Sequence, residues 1–356
     1  MENIKFGIIG FGFMGHVHED VITNQVEGAE VSAICDIVPE QMEDAVTKDV
    51  LKFTNMDDLL AIEEIDTVLV VIPNQLHKEC VIKAAKAGKN IICEKPVAMS
   101  VDELDEMLEA VKENNVRFTV HHQRRFDKDF RTIKEVYDQK SLGKVYTIQS
   151  KLYGFNGNMH DWHVFKEFGG GMLYDWGVHL IDQLLFMVEG KIKSIYADVR
   201  NVINGEVDDY FKILLKFENN VMCEIELGTY FLSDKKNWFE RHWFIGGDKG
   251  SAYVDGFEPE GRIVRTSHLL ENVGKKGEGA KWGPTRSFGN PQPGTILTEE
   301  LPDVDFYHKM FFEDYISALN EGHEFLVKPS EVRRVLQLMD AIRLSSETGN
   351  SIAFES

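Results

Sequence analysis

Five short apolar runs rich in Val and Ile punctuate the first third of the chain: IKFGIIG, EVSAICD, DTVLVVI, NIICEK and RFTVHH. Each is apolar along its length instead of alternating, as a strand covered on both faces of a parallel sheet requires. Between them the period changes. HKECVIKAAKAGK carries a helical pattern ending at Gly88, and SVDELDEMLEAVKENN opens on a capping box with Ser100 at N-cap and Glu103 at N3. Strands and helices alternating over about 120 residues predict a doubly wound parallel sheet.

After His121-His122 the pattern shifts. Gln123-Arg124-Arg125-Phe126 leads into a helical segment that ends near Gly143, and then alternating runs take over: KVYTIQSKLYGF, KSIYADVR, DYFKILLKFE, VMCEIELGTYF and HWFIGGDKGSAYVD. Asn219-Asn220 reads as a hairpin turn. Two helices close the chain, over 307–319 and 330–346, the latter stopped near Gly349. This half is expected to be α+β: a large, mostly antiparallel open sheet with helices on one face. Its other face reads as too apolar for water. The Gly- and Pro-rich segment 256–301 is long for a loop and suits a mobile flap or a partner-contacting arm.

One helix is out of keeping with its neighbours. In GGGMLYDWGVHLIDQLLFMVEG, the i, i+4, i+7 spacing puts Asp175, His179 and Asp182 in one sector, with Leu173, Trp176, Leu180, Leu184 and Val188 on the far side. Phe186 and Met172 lie close to the polar sector, so that stripe does not face bulk water. A carboxylate and an imidazole among apolar groups must be paired, ligate a metal or do chemistry.

Composition narrows the partners. At 356 residues two domains are expected. The net charge of -20 disfavours nucleic acid and anionic membranes, which demand Lys and Arg, so the partner is a small molecule. Cys35, Cys80, Cys93 and Cys223 are scattered without a C-x-x-C pair, which fits a reducing cytoplasm and no thiolate zinc site. MENIK enters an apolar strand with no signal-peptide pattern, and no apolar run approaches the ~20 residues of a membrane span.

The first strand runs directly into Gly10-Phe11-Gly12-Phe13-Met14-Gly15, a G-x-G-x-x-G loop with a strand before it, a helix after it, and an acidic residue, Asp36, closing the next strand. That context marks a dinucleotide site. Gly10 makes the turn, Gly12 lets the pyrophosphate approach the backbone, and Gly15 lets the helix pack closely with its N-terminus toward the phosphates. A carboxylate at Asp36 accepts from ribose hydroxyls and repels a 2'-phosphate, and Ile37-Val38-Pro39 supply no cation, so NAD is favoured over NADP. Ligands of such sheets lie beyond the carboxyl ends of the strands. DTVLVVI ends in Pro73-Asn74-Gln75-Leu76-His77, where Asn74 either caps the next helix or touches the cofactor, and His77 either starts that helix or lies near the nicotinamide ribose. NIICEK ends in Glu94-Lys95-Pro96, which are likewise expected to touch the cofactor.

Glu94-Lys95-Pro96, with the glycine loop before it and the Gly-Gly-Gly, Asp175, His179 helix after it, resembles the Gfo/Idh/MocA family of oxidoreductases over nearly the whole chain. The resemblance implies a Rossmann NAD-binding domain over 1–121 and a substrate-binding and oligomerisation domain over 122–356. It also implies a catalytic set of Lys95, Asp175 and His179, a cis Pro96 turning Lys95 toward the nicotinamide, and a homodimer or homotetramer formed through the open sheet. The chemistry agrees: oxidising a secondary alcohol needs a base for the hydroxyl proton, which His179 can be, and a cation for developing alkoxide charge, which Lys95 can be. A metal at Asp175, His179 and Asp182 is opposed by the Lys95 ammonium, and no metal is expected.

Arg124 and Arg125 follow the last parallel strand, where one can reach the cleft and the other serve an interdomain ion pair; Arg125 is taken as the substrate contact. Tyr153, Trp162 and His163 precede the catalytic helix and suit a sugar or cyclitol ring. The expected activity is NAD-dependent hydride transfer at a secondary hydroxyl of a sugar, polyol or cyclitol. The alternatives are a glycoside-cleaving enzyme that recycles tightly held NAD, and a non-enzymatic NAD-binding sensor.

Overall fold

The computed structural model describes residues 3–155, 159–231, 239–267, 279–280, 283–284, 293–307 and 309–354, and these are organised around two large sheets. The first is parallel. β1 (Ile4–Ile9), α1 (Phe13–Gln25), β2 (Ala29–Cys35), β3 (Leu51–Phe53), α2 (Met56–Leu60), β4 (Thr67–Val70), α3 (His77–Lys86), β5 (Asn90–Cys93), α4 (Val101–Glu113) and β6 (Phe118–Val120) give the strand order β3-β2-β1-β4-β5-β6. The strand order reverses between β1 and β4, which opens a crevice beyond their carboxyl ends. β4 is buried at every position, as its unbroken apolar run requires. The short β3 is announced by no such run, because Leu51 and Lys52 are exposed at the sheet edge. Ser100 caps α4 by accepting the Glu103 N–H at 3.2 Å, while the Glu103 carboxylate accepts from Met99, one residue before the cap.

The second sheet has nine strands. α5 (Lys128–Asp138), β7 (Val145–Gly154), α6 (Val178–Met187), β8 (Ile192–Arg200), β9 (Tyr210–Phe217), β10 (Met222–Gly228), β11 (Phe239–Gly247), β12 (Gly250–Asp255) and β13 (Glu260–Thr266) come first. A two-residue ribbon of β14 (Gly279–Ala280) and β15 (Gly283–Pro284), then β16 (Ile296–Glu299), α7 (Met310–Glu321), α8 (Pro329–Thr348) and β17 (Ile352–Ala353) complete the chain. The order is β16-β13-β12-β11-β7-β10-β9-β8-β17, antiparallel except where β7 pairs with β10. The expected hairpin turn joins β9 to β10, with Asn220 at φ +67°. The segment 256–301, expected to be a flap or arm, falls partly outside the described residues.

Alternation decides what each face of this sheet carries. Ile148, Leu152, Phe211, Ile213, Ile225 and Trp243 turn inward and are buried under α5 and α8; the Phe130 ring of α5 lies 5.9 Å from Trp243. The open face is more polar than the apolar character of its strands suggests, since alternation sends the apolar half inward. Glu224 pairs with Lys212 at 2.9 Å and Lys151 at 3.2 Å, and Tyr153 and Tyr210 donate to Glu226 at 2.7 and 3.0 Å. Tyr146, Tyr196, Met222 and Tyr253 are exposed. Among the described residues, no helix is long and apolar enough to cross a membrane.

The last helices return to the first sheet and join the two. Tyr315 of α7 shares a 3.0 Å hydrogen bond with Thr67 of β4, Thr119 of β6 donates to Val327 O at 2.8 Å, and Arg333 of α8 grips Asp105 of α4 with two bonds. Arg125, just after β6, donates to both oxygens of Asp182 on α6 at 2.6 and 2.8 Å, a pair all but excluded from water, and to the partly exposed Glu331 on α8 at 2.9 Å. Removing one member of such a buried pair strands the other's charge. Arg125→Leu is therefore expected to lower unfolding free energy by ~3–5 kcal/mol, read from the urea midpoint; a change within about 1 kcal/mol would show that the junction does not depend on this cation.

Candidate functional site

Each glycine of the loop meets a different constraint. Gly10 has φ +92°, and a Cβ there would lie 2.1 Å from Val71 O; a Cβ on Gly15 would lie 2.5 Å from Gly10 O. Both positions need glycine for the chain to pass. A Cβ on Gly12 would meet nothing within 4 Å, so that position faces open space. α1 starts at Phe13 with no side-chain cap and no acid in its first turn, leaving N–H groups and the positive end of the helix dipole for an anion. Phe13 is exposed, Met14 half-buried, and Phe11 buried with its N–H donated to Asp36 Oδ2 at 2.8 Å. Asp36 Oδ1 takes the Val38 N–H at 2.8 Å, which fixes the carboxylate beside the loop. These residues fit a dinucleotide: open backbone for the pyrophosphate and an acceptor for a ribose diol.

Past β4 and β5 the expected contacts divide. Pro73 precedes the 3-10 turn at Asn74, and the Asn74 side chain donates to Phe168 O at 3.2 Å, tying this edge to the segment that leads to α6. His77 does not face a cofactor. It is fully buried, with Nε2 at 2.8 Å from Ile72 O and Nδ1 at 3.1 Å from Pro96 O, clamping one strand end to the other. Burial lowers its pKa. Glu94 likewise turns inward, away from the expected cofactor contact. His18 Nε2 lies 2.6 Å and His121 Nδ1 2.8 Å from its Oε1, and its Oε2 accepts the Lys95 N–H.

Lys95 precedes Pro96 through a cis peptide, as the resemblance implies. Its Nζ donates to Asp175 Oδ1 at 2.7 Å and Asp175 O at 3.0 Å, joining the end of β5 to the turn that opens α6. Asp175 lies in a single π turn, Leu173–Gly177, that runs into α6. His163, whose Nδ1 contacts His160 O at 3.0 Å, places Nε2 3.9 Å from Asp175 Oδ2, and Trp162 stacks on His163 at 3.8 Å. His179 is buried, and its Nδ1 has no hydrogen-bond partner among the described residues. Burial, then the cations Lys95 and Arg124, holds its pKa well below the usual histidine value. The ring is therefore neutral at neutral pH and able to take a proton.

Asp182 is a structural carboxylate, given to Arg125 and taking no part in the Lys95 cluster. Two expectations come out differently. Arg125 is the structural cation, locked to Asp182 and Glu331, and Arg124 is the one that reaches a cavity. Tyr153 projects from the open face of the second sheet, its hydroxyl bonded to Glu226, because the alternation of β7 points it away from α6. The cavity, about 300 Å³, is walled by Trp176 and Phe257 and edged by Arg124, Asp127 and Asp129. Arg124 lies 3.9 Å over Trp176, whose ring is 5.9 Å from His179. His122 is a further neighbour that the spacing of the helix does not reveal: its ring is 5.9 Å from His179, and burial lowers it to about 4. Among the described residues, the group close enough to share a metal ion is His18, Glu94 and His121, not Asp175, His179 and Asp182.

Residues 4–122 match an oxidoreductase family with an NAD-binding Rossmann fold, and residues 130–253 match the GFO/IDH/MocA C-terminal domain. A 2,7-anhydro-N-acetylneuraminate hydratase of Mediterraneibacter gnavus is 31% identical over 281 residues, 76% of this chain and 73% of that protein. A scyllo-inositol 2-dehydrogenase (NADP(+)) of Bacillus subtilis is 26% identical over 364 residues, 100% of this chain and 97% of that protein. The crystal structure of an NAD-binding protein from Listeria innocua superposes with a TM-score of 0.85 at 33% identity, covering 99% of this chain and 97% of that one.

The glycines give a paired test of the loop. Gly12→Ala is expected to keep the melting temperature and weaken NAD by more than about tenfold, or ~1.4 kcal/mol. Gly10→Ala is expected to lose at least ~1–2 kcal/mol of stability from its left-handed backbone alone. Calorimetric titration with NAD and thermal melts check both, and unchanged NAD affinity in Gly12→Ala would move the pyrophosphate elsewhere.

Proposed function

The chain belongs to the GFO/IDH/MocA oxidoreductase family, and from that premise we propose that it transfers a hydride between a secondary hydroxyl of a sugar, polyol or cyclitol and NAD. The observation that carries this reading is the meeting of Lys95 and Asp175 at 2.7 Å beside a buried, neutral His179. NAD, when bound, supplies the hydride acceptor. Gly10, Gly12, Gly15 and Asp36 hold it, and the hydroxyl to be oxidised lies where Lys95 and His179 both reach. His179 takes the hydroxyl proton, Lys95 stabilises the charge left on oxygen, and Asp175 fixes the ammonium. Trp176 and Phe257 offer apolar faces to a ring, with Arg124 and the Asp127 carboxylate for its hydroxyls. His163 and Trp162 close the side nearest Asp175.

A second reading has its own support. His163 adds an imidazole next to Asp175, one more proton-transfer group than a single oxidation needs. With it, oxidation could acidify a neighbouring C–H, a bond could then be cleaved, and the reduced cofactor returned to its starting state. The relative named as a hydratase adds weight to this alternative. We place the protein in the cytoplasm, where four buried free thiols suit a reducing medium, and assign residues 1–121 to the cofactor and 122–356 to substrate and assembly.

NADH absorbance over polyols, cyclitols, aldoses and glycosides, with NAD against NADP, tests the main reading: turnover with NAD, reduced roughly 10²- to 10⁴-fold in His179→Ala. Because the folded pKa of His179 lies below 6.5, its base form is complete above that pH and is lost as pH falls through the lower value. The acid limb of kcat/KM is thus expected below pH 6.5. Product without NADH would favour the recycling reaction. For assembly we infer a homodimer or homotetramer formed through the open sheet face, where Tyr146, Tyr196, Met222 and Tyr253 surround the Lys–Glu–Tyr network. Light scattering of the wild type and Tyr196→Glu checks this, and an unaltered mass in the variant would exclude that part of the face.

A further inference from the structure

Three buried side chains behind Lys95 take no part in the reaction as proposed. Glu94 follows β5, His18 lies on α1, and His121 follows β6, so the group ties three elements together. His18 Nε2 meets Glu94 Oε1 at 2.6 Å; His121 Nδ1 lies 2.8 Å from the same oxygen but off the donor line. The two rings meet edge to face at 4.5 Å, with Phe311 4.5 Å from His121 and Phe312 5.8 Å from His18. The remaining oxygen of Glu94 accepts the backbone N–H of Lys95 at 3.1 Å.

A shared metal ion would demand a different geometry. Ligand atoms at ~2.0–2.1 Å from a tetrahedral zinc stand roughly 3.3 Å apart, whereas the contacts at 2.6 and 2.8 Å have the length of charge-assisted hydrogen bonds. A proton lies between His18 Nε2 and Glu94 Oε1, whereas His121 Nδ1 meets that oxygen off its donor line. Burial alone would raise the Glu94 carboxyl, but the two imidazoles outweigh it and hold the group well below its usual value, as a carboxylate. Burial keeps His18 neutral, with one N–H to give.

We propose that Glu94 is a positioning residue for Lys95: His18 and His121 anchor its carboxylate to α1 and to the end of β6, and the carboxylate holds the peptide from which Lys95 reaches Asp175. This rests on the assignment of Lys95 to the reacting centre. Glu94 commits its two oxygens to the imidazoles and to the Lys95 N–H. It fixes the start of a long side chain whose tip must satisfy Asp175 at two atoms, and a shift of about 1 Å at a reacting group can cost on the order of 10²-fold in rate.

Amide substitutions separate a fixed donor from a metal ligand. His18→Gln keeps an N–H near Nε2 and His121→Asn keeps one near Nδ1, whereas His18→Leu keeps none. Glu94→Gln and His18→Leu are expected to lower kcat roughly 10- to 100-fold, with KM for NAD within about twofold, and the two amide variants to recover most of the loss. Acylation of Lys95 by an amine reagent, followed by peptide mass spectrometry, is expected to accelerate in Glu94→Gln and His18→Leu and in neither amide variant. Unchanged Lys95 labelling in folded Glu94→Gln would overturn the proposal. So would a raised KM for NAD with kcat intact, or one zinc per chain whose removal by chelator abolishes activity. If labelling accelerates while Lys95→Ala leaves turnover intact, the positioning stands and the assigned role of Lys95 falls.

Discussion

Charge taken out of water must be matched where it is buried, and the junction between the two sheets is built from that requirement. Lys95 is matched by Asp175, Arg125 by Asp182 and Glu331, Arg241 by Asp129, and Glu94 by His18 and His121. The first, second and fourth of these sets join elements of the parallel sheet to elements beyond it or to one another at its carboxyl edge. Replacing such a set with apolar groups could preserve stability, but only the charged version sets the Lys95 ammonium against Asp175 beside the buried His179.

The order of the sets separates support from chemistry on one helix. Asp175 faces Lys95, His179 lies between, and Asp182 is committed to Arg125 one turn later. Arg125 lends no charge to the cavity, since its own is spent within the junction. Its neighbour Arg124 is stacked on Trp176 with part of its guanidinium still at the cavity edge. Two adjacent arginines thus have opposite fates because a 3-10 turn points them to different sides.

Most of this was legible where the determining physics is local. The glycine loop, the buried strands, the Asn219-Asn220 hairpin and the stop at Gly349 each follow from residues close in sequence. Lys95, Asp175 and His179 became a set through resemblance to a known family, because their spacing of 80 residues between Lys95 and Asp175 carries no local signal. What stayed hidden depends on distant partners or on facing. His18 lies 76 residues from Glu94, so nothing in the first helix announces its carboxylate. Tyr153 has the composition of a sugar contact, but β7 alternates it onto the open face. The short, exposed β3 offers no apolar run, and the parallel pairing of β7 with β10 cannot be read from two alternating strands alone.

The π turn at Leu173–Gly177 has a consequence for how such a site can diverge. A π turn accommodates one residue more than an α turn, so losing a single residue there would close the helix into α geometry and leave the stretches on either side facing as before. Asp175 lies inside the turn, so its contact with Lys95 is the one such a closure would alter, while His179 on α6 kept its place. A one-residue deletion could therefore uncouple the ammonium from the imidazole with every functional side chain still encoded, so divergence in this helix would be recorded by length before it was recorded by composition.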